Sequence, residues 1–480
     1  MYTNTIAHVR PLRLRPLAAC LVPMLALSAP ALAATATPSS ARATPAQVAS
    51  SAVTSCADDG GFDTLRHAVL VANPGDLINL GGLACSKITL QGAIVVGLDD
   101  LTIQGPGAGM LTIDGNGNDR VFVHGGKGTL TLEDLTIANG MVATDKAIGG
   151  CIYSKGNVAL TRSTLTSCKA IGQTLALGGG AVAYGDMTLD SSTVSGNLAD
   201  ATVGQAQTAA LGGGVVGLGQ VNGLTLRHSL ISGNTVHAAS GSAQGGGVGG
   251  FKITAKYSTI QGNAAKAIGD ASDYGAAGGI VALYSLSMAG STVDHNEADL
   301  GGGIFIGDGG GFATIIQSTI SANIGKLSTG GIGSGAPLSL ANSTVAFNTG
   351  GPYGGGGVLV NGTATFQSSI VADNAPTDVE GSVVISGSNN LVKIAGANTT
   401  VPMGTLTKDP MLLPLAFNGG ATRTHALEAG SPAINTGSNV LNLSFDQRDA
   451  AYPRVVNVLP DMGAVEFDPD HIFADRFGTQ

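Results

Sequence analysis

Short apolar runs alternate with glycine corners along most of the chain, and the unit that they form recurs. In the copy from Gly301 to Asn323, a glycine cluster is followed by an apolar run, a glycine turn, a second apolar run and the closing phrase STISAN. Before the closing phrase, apolar and polar positions alternate, which is the period of β-strands. The phrase returns at intervals of 25–37 residues, and such self-similarity indicates stacked supersecondary units.

The residues around the closing phrase form columns. The third residue before its first serine and the second residue after it are apolar in every copy, although the turns differ in length. Constant columns with variable turns predict coils that stack in register while insertions loop out. We therefore predict an all-β protein: a single-stranded right-handed parallel β-helix, or solenoid, with a short N-terminal helical cap and a C-terminal capping region.

The last position of the phrase is asparagine in every copy but the first, which has Cys168. Asparagine tolerates left-handed backbone conformations and its amide can bond to the coils above and below. We predict a buried structural column made of Asn197, Asn234, Asn263, Asn296, Asn323, Asn348 and Asn374.

Composition and charge narrow the function classes. The 480 residues include 74 glycines and are 43% hydrophobic, which is enough for a long core. A solenoid grows in one dimension, so this length does not require several domains. The formal net charge of −9 and the lack of a basic stripe argue against a nucleic-acid partner. We expect a monomer.

The N-terminus carries the pattern of a secretory signal. Three arginines precede an apolar run from Leu17 to Leu32, and the run ends in a small-residue cleavage site at Ala31-Leu32-Ala33. The run is short and contains Pro23 and Pro30, so a transmembrane helix is the poorer interpretation. We predict a signal peptide over residues 1–33, a disordered lead-in over 34–55, and a secreted or outer-surface protein without a transmembrane helix.

Four cysteines follow the predicted cleavage site, and export permits disulfides. Cys56 and Cys85 flank one segment, and we predict that they staple an N-terminal cap over residues 56–85. Cys151 and Cys168 belong to neighbouring columns of one coil, where a disulfide and two buried thiols are equally compatible with the pattern.

Between Cys56 and Cys85, Leu65, Ala68 and Val69 share the face of a short amphipathic helix that can close the open end of a solenoid. The segment resembles the cap of bacterial surface β-helix proteins with a CSLREA-type motif, although His67 stands where that motif has Glu. We predict that the parallel β-helix spans residues 86–400. The glycine-corner and closing-phrase pattern of residues 149–374 resembles the repeats of polymorphic outer-membrane proteins, with Leu, Val or Ile in place of the repeat Phe.

The chain departs from the repeat after residue 400. The phrases GSPAIN (430–435), DQR (446–448) and DMGAVE (461–466) resemble, in this order, the choice-of-anchor Q domain of secreted bacterial β-helix proteins. The resemblance implies a non-enzymatic surface protein with a C-terminal cap over 401–468. We interpret Asp446, Arg448, Asp461 and Glu466 as a salt-bridged cluster, and residues 469–480 as a tail that is either a sorting signal or a disordered end.

Candidate chemistry lies on one outward column of the repeat. Adjacent coils sit about 4.8 Å apart, so Asp190, Arg227 and Lys256 should form a ladder, with His228 and Tyr257 beside it. A polysaccharide lyase needs Arg or Lys to neutralise a uronate, together with a base, and calcium would be its cofactor; His228 could transfer protons and Tyr257 could stack on a sugar. The plainer interpretation, which we favour, is an exposed ion pair.

A second patch is acidic. Asp294, His295, Glu297 and Asp299 lie close in sequence, and Asp270, Asp273 and Asp308 belong to neighbouring turns. Mixed carboxylates and histidine can hold a metal. Because acidic residues also suit loops, we expect no metal and no other cofactor here.

Three function classes remain. The first is a secreted or surface-displayed rod that binds glycans or another cell-surface component without catalysis, as the resemblance implies. The second is a polysaccharide lyase or glycoside hydrolase acting in a groove on the β-helix. The third, which we rank lowest, is an ice- or crystal-binding face built from the threonine column at 164, 193, 259, 292, 319 and 344, because Leu230 and Ile370 interrupt that column.

Overall fold

The computed structural model describes residues 53–203, 208–268, 274–456 and 458–468. The predicted signal peptide, the lead-in up to residue 52, Asp270, Asp273 and the tail lie outside these ranges. The one α-helix within them is α1 (Leu65–Val71), which begins after the N-cap Thr64 and buries Leu65, Ala68 and Val69. No helix in the described ranges is long and apolar enough to cross a membrane.

The first twelve strands are β1 (Asp76–Asn79), β2 (Lys87–Thr89), β3 (Ile94–Val96), β4 (Leu101–Gln104), β5 (Thr112–Asp114), β6 (Phe122–His124), β7 (Thr129–Glu133), β8 (Thr136–Ala138), β9 (Met141–Ile148), β10 (Ile152–Ser154), β11 (Asn157–Thr161) and β12 (Thr164–Thr166).

The central strands are β13 (Lys169–Leu177), β14 (Ala181–Ala183), β15 (Met187–Asp190), β16 (Thr193–Ser195), β17 (Leu198–Ala201), β18 (Thr208–Leu211), β19 (Val215–Gly217), β20 (Leu224–Arg227), β21 (Leu230–Ser232), β22 (Thr235–Ala238), β23 (Gly241–Gln244), β24 (Val248–Lys256), β25 (Thr259–Gln261), β26 (Ala264–Ala267), β27 (Tyr274–Ala276), β28 (Ile280–Ala289), β29 (Thr292–Asp294) and β30 (Glu297–Ala298).

The last strands are β31 (Ile304–Ile306), β32 (Ala313–Ile316), β33 (Thr319–Ser321), β34 (Ile324–Gly325), β35 (Ile332–Ser334), β36 (Leu338–Ala341), β37 (Thr344–Ala346), β38 (Val358–Val360), β39 (Ala364–Gln367), β40 (Ile370–Ala372), β41 (Val379–Glu380), β42 (Val383–Ser388), β43 (Leu391–Val392) and β44 (Thr399–Thr400).

These strands stack as the coils of a right-handed parallel β-helix, as predicted. A 12-stranded parallel sheet, which we call sheet 2, holds the closing phrases from β2 to β43. A 22-stranded sheet holds two ribbons of stacked strands. Ribbon A contains β19, the first parts of β24 and β28, and then β31, β35 and β38. Ribbon B contains β15, β20, the second parts of β24 and β28, and then β32 and β36. In other coils a corner separates ribbon A from ribbon B. Strands β24 and β28 run through this corner without a break, so the two ribbons belong to one sheet.

The interior is a continuous apolar stack. The predicted columns, for example Leu226, Ala255 and Met288 before the serine and Ile231 and Ile260 after it, are buried and belong to one hydrophobic cluster that extends from α1 to Val392. The parallel pairing keeps each column in register from coil to coil, as at Leu226↔Ala255. Burial of these side chains is the main source of stability in such a rod.

The asparagine column is a hydrogen-bonded ladder. In each step the backbone N–H and the side-chain Nδ2 of one asparagine both donate to Oδ1 of the next, for example from Asn296 to Asn323 at 3.0 and 2.9 Å. Asn323 then donates in the same way to Asn348, and its Nδ2 also donates to the carbonyl oxygen of Val293 at 2.9 Å. The ladder runs from Asn197 to Asn374 and ends on the buried Asp378, which accepts from Asn374.

Both cysteine pairs form disulfides, Cys56–Cys85 and Cys151–Cys168. The first pairing agrees with the sequence prediction. For the second, the structure selects the disulfide over the two free thiols, because the two columns come within a Cα–Cα distance of 5.4 Å in one coil.

A folded arm projects from the middle coils. Strand β13 pairs with β17 through its first residues and with β18 through its last, and the same split continues to β22 and β23. Small side chains fill the space between the two layers, among them Ala199, Ala210 and Ala243. The layer that contains β18 and β23 packs on ribbon A. Leu177 and Leu211 of the arm contact the outward side chains of Val182, Val216 and Val281. The layer of β18, β23 and β27 ends where Ala276 pairs with Leu300, and the other layer continues through β30 to β34.

The C-terminal region packs along the side of the rod, on the outward face of sheet 2. Gln447 accepts from the Thr319 hydroxyl at 2.7 Å, the backbone N–H of Ala464 donates to Thr344, and the hydroxyl of Thr292 donates to the carbonyl oxygen of Arg423. Thr292, Thr319 and Thr344 are therefore buried. Half of the threonine column is covered, and a continuous ice- or crystal-binding face is not available there.

The charged residues of this region form buried ion pairs. Arg448 pairs with Asp446 at 2.6 Å, and Arg454, which the sequence analysis had not singled out, pairs with Glu466 at 3.1 Å. Asp461 accepts from the backbone N–H groups of Asn435 and Phe467. Three carboxyl groups and two guanidinium groups leave one excess negative charge, and burial raises the pKa of Glu466 to about 8. A proton on Glu466 would bring the cluster to neutrality.

We predict that Asn323→Ala lowers the free energy of unfolding by roughly 2–4 kcal/mol, because it leaves the Asn296 N–H buried without a partner and removes the hydrogen bond from Asn323 to the Val293 carbonyl oxygen. Urea unfolding followed by circular dichroism measures this. The matched control is Asn118→Ala, at an exposed asparagine, which should change stability by less than about 0.5 kcal/mol. Equal stabilities of the two variants would contradict the structural role of the ladder.

The raised pKa of Glu466 predicts a pH dependence of stability. Between the unfolded pKa, near 4.5, and the folded pKa, about 8, the native state binds a proton that the unfolded state releases. The stability that Glu466 contributes is therefore fully present below the unfolded pKa. It is lost as the pH rises through the folded pKa, at up to about 1.4 kcal/mol per pH unit. Glu466→Gln cannot ionise and removes this term, so the wild-type Tm should fall relative to that of the variant from pH 5 to 8. Parallel Tm profiles would show that Glu466 is ionised throughout.

Candidate functional site

Corner length varies along the rod, and this variation shapes a groove. The corner between ribbons A and B is long at residues 218–223, short at 251–252 and 283–285, and long again at 307–312. The two long corners are three coils apart, which is about 14 Å at the spacing of parallel strands. The short corners between them form the floor of a groove that crosses the rod along the strand direction.

The groove has a volume of about 270 Å³. Val221 and Asn222 form one wall and Phe312, which is 58% exposed, forms the other. The floor presents the hydroxyl groups of Thr254, Ser285 and Ser287 among other residues. It is a shallow polar surface with one exposed aromatic ring rather than a deep apolar pocket.

The charged lining of the groove is entirely basic. It consists of Arg227, Lys252 and Lys256, and within the described ranges none of the three forms an ion pair. The Nζ of Lys252 reaches only the carbonyl oxygen of Val221, at 3.5 Å. Arg227 and Lys256 are direct neighbours on adjacent coils, about 4.8 Å apart. Each guanidinium or ammonium group can thus bind an anion.

The predicted ladder is present in register, Asp190↔Arg227↔Lys256. The Asp190 carboxylate accepts from its neighbour Ser191, and no ion pair between Asp190 and Arg227 is formed. The long side chain of Arg227 turns toward the groove, whereas Asp190 lies outside the lining.

His228 and Tyr257 sit at the next corner, just beyond the ladder. Both have positive φ, 47° and 49°, and their rings stack with centroids 5.4 Å apart. Burial raises the pKa of Tyr257, and so does the nearby Asp449 carboxylate, which accepts a hydrogen bond from its hydroxyl group. This contact directs the tyrosine hydroxyl toward the C-terminal region. Neither ring lines the groove, so the structure does not unite them with Arg227 and Lys256.

The acidic patch separates into two places. Asp294 is buried beneath the C-terminal region, where it pairs with Arg423 and accepts from His295 at 2.7 Å. Glu297 pairs with Lys326 at 2.5 Å, and Asp299 accepts from the backbone N–H of Gly275, both on the arm side of the turn. Among the described residues, no three His, Cys, Asp or Glu side chains converge where a metal ion would bind.

The sequence analysis missed Lys252 and Phe312, although a signal for them exists. Both lie in corners, and alignment of the copies on their glycine clusters shows that the corner shortens in two consecutive coils and lengthens in the next. Arg423 had no such signal, because its contact with Asp294 spans 129 residues.

Comparison with known proteins found no matching family model and no matching curated protein. Among solved structures, the chain is similar to pectate lyase Pel9A, with 14% identity, a TM-score of 0.44 and coverage of 88% of this chain and 98% of that one. It is also similar to the A-module of the mannuronan C-5 epimerase AlgE4 of Azotobacter vinelandii, with 11% identity, a TM-score of 0.41 and coverage of 69% and 90%.

Proposed function

We propose that this protein binds an acidic polysaccharide, a polyuronate chain, in the basic groove and does not cleave it. The observation that carries the proposal is the set of three cations, Arg227, Lys252 and Lys256, that share one groove without an acidic partner in the described part of the chain. On a protein with a formal net charge of −9, such a group concentrates positive potential at one place. Carboxylates on successive sugars would relieve the mutual repulsion of the cations.

The shape of the groove supports a sugar chain. From Lys252 to Lys256 the floor is about 13 Å long, at 3.3 Å per residue, and it runs between two walls. The hydroxyl groups of Thr254 and Ser287 can exchange hydrogen bonds with sugar hydroxyls, and the exposed ring of Phe312 can cover the C–H face of a pyranose. A neutral chain would leave the cations unmatched.

Catalysis by a lyase is the alternative, and the groove serves it poorly. Arg227 and Lys256 could neutralise a uronate carboxylate, but the lining contains no carboxylate and no histidine. Calcium requires several oxygen ligands, usually with carboxylates among them, so the residues present do not fit that ion. A secreted or surface location and a monomeric rod, both predicted from the sequence, are part of the proposal, since a polyuronate would be met outside the cell.

We predict that Arg227→Ala and Lys256→Ala each weaken binding of a size-defined oligogalacturonate roughly tenfold at low salt, because each removes a charged hydrogen bond. Isothermal titration calorimetry at low and high salt measures this, and wild-type affinity should fall with salt because exposed charges are screened. The control is Lys146→Ala, at an exposed lysine outside the groove, which should bind like the wild type.

Wild-type affinity in both groove variants would contradict the proposal. The same samples are assayed for unsaturated uronate products. Product formation by the wild type that Arg227→Ala abolishes would replace the binding function with a lyase acting in the same groove.

A further inference from the structure

A second cleft opens on ribbon A just beyond the end of the arm. The central outward residues of successive ribbon A strands are Val281, Phe305, Gly333 and Leu359. Residues of the arm share one buried hydrophobic cluster with this row as far as Val281 and Phe305. In the described ranges the layer of the arm that packs on ribbon A ends at Leu300, while β34 continues only the other layer. The row is therefore partly exposed at Leu359, next to the buried Gly333.

Gly333 lies in the floor of the cleft. It is the member of the row without a side chain between Phe305 and Leu359, so the backbone itself forms the floor there. A Cβ atom at this position would lie 3.1 Å from Thr329 Cγ2 and 3.3 Å from Phe305 Cδ2. Thr329 and Phe305 thus pack directly over Gly333, and the cleft beside them measures about 290 Å³, which approaches the size of small-molecule sites.

Several polar side chains line this cleft without a hydrogen-bond partner among the described residues, and the hydroxyl of Ser328 is one of them. Thr329 is 1% exposed, and its hydroxyl oxygen has no hydrogen-bond partner, a state that costs free energy in the unliganded protein. At the rim, the Asp308 carboxylate and the Asn361 amide are exposed and have no side-chain partner among the described residues. An apolar floor with a carboxylate, an amide and a hydroxyl group therefore surrounds one small space.

We propose that this cleft binds a neutral pyranose, as the end or a branch of a glycan. The C–H face of a sugar ring suits the apolar surface of Phe305 and Leu359, and vicinal hydroxyls are the donors that the Asp308 carboxylate requires. Asn361 can both donate and accept, and rotation about χ1 would present the Thr329 hydroxyl to the ring. No cation lines the cleft, so Asp308 would repel a uronate.

The cleft and the basic groove share one wall. Asp308 and Phe312 belong to the same corner, residues 307–312, and each faces one of the two sites. The two sites are thus adjacent, but they select sugars of opposite charge character, and the assignment of the neutral site does not depend on that of the groove.

The test is saturation-transfer-difference NMR of the purified protein with the methyl glycosides of glucose, galactose and mannose. At least one should bind. Asp308→Ala should weaken that binding roughly tenfold or more, and Thr329→Val roughly three- to tenfold, as for a charged and a neutral hydrogen bond. The Thr329→Val variant should keep or raise the wild-type Tm, because its hydroxyl has no partner in the protein. Asp63→Ala, at an exposed carboxylate in the N-terminal cap, is the matched control and should bind like the wild type.

The proposal is overturned if none of the three glycosides binds, or if binding is unchanged in both Asp308→Ala and Thr329→Val. It is also overturned if methyl galacturonoside binds in an Asp308-dependent way as strongly as its neutral counterpart. Because Arg227→Ala leaves this cleft intact, neutral-sugar binding should survive in that variant, which separates failure of this site from failure of the groove.

Discussion

The rod depends on one constraint: the buried polar groups in the turn of each coil must form hydrogen bonds with the neighbouring coil. The asparagine ladder meets it: each side-chain oxygen accepts two hydrogen bonds from the coil before, and each Nδ2 reaches a backbone carbonyl oxygen. Because these groups are buried, a one-residue slip would leave several of them without partners. The ladder therefore fixes the register of all strands that follow the turn, and the apolar columns stay aligned as a consequence.

Because the register of the strands is fixed, the surface of the rod varies only at corners and insertions, and both candidate sites lie there. Where corners shorten in two coils, the surface sinks and exposes Lys252 beside Arg227 and Lys256. Where the layer of the arm on ribbon A stops, a cleft borders the outward row at Gly333. Both candidate sites are thus gaps between insertions on a regular scaffold. The outward face of sheet 2 is partly covered, since the C-terminal region binds it through Gln447 and its neighbours.

Much of the fold could be predicted because repeat proteins encode contacts between coils at a fixed period. The pairing of Asp190 with Arg227 and of Arg227 with Lys256 follows directly from counting back from the closing serine. The contact of Arg423 with Asp294 could not be predicted, since it joins the repeat to a region without a period. That Arg227 forms no ion pair could not be predicted from the sequence either, because the direction of its side chain depends on whether the neighbouring corner is long or short. Thr329 stands in a turn whose burial depends on the end of the arm, so its unpartnered hydroxyl had no sequence signal.

The central claim is that the basic groove holds a polyuronate, and covalent capture of the bound chain tests it most directly. An oligogalacturonate carrying aldehyde groups is fixed to nearby lysines by reductive amination, and the modified residues are identified by mass spectrometry. The account predicts that Lys252 and Lys256 react first and are protected by excess unmodified oligogalacturonate but not by a neutral oligosaccharide. Modification spread evenly over exposed lysines such as Lys127, Lys146 and Lys155, without protection, would contradict it.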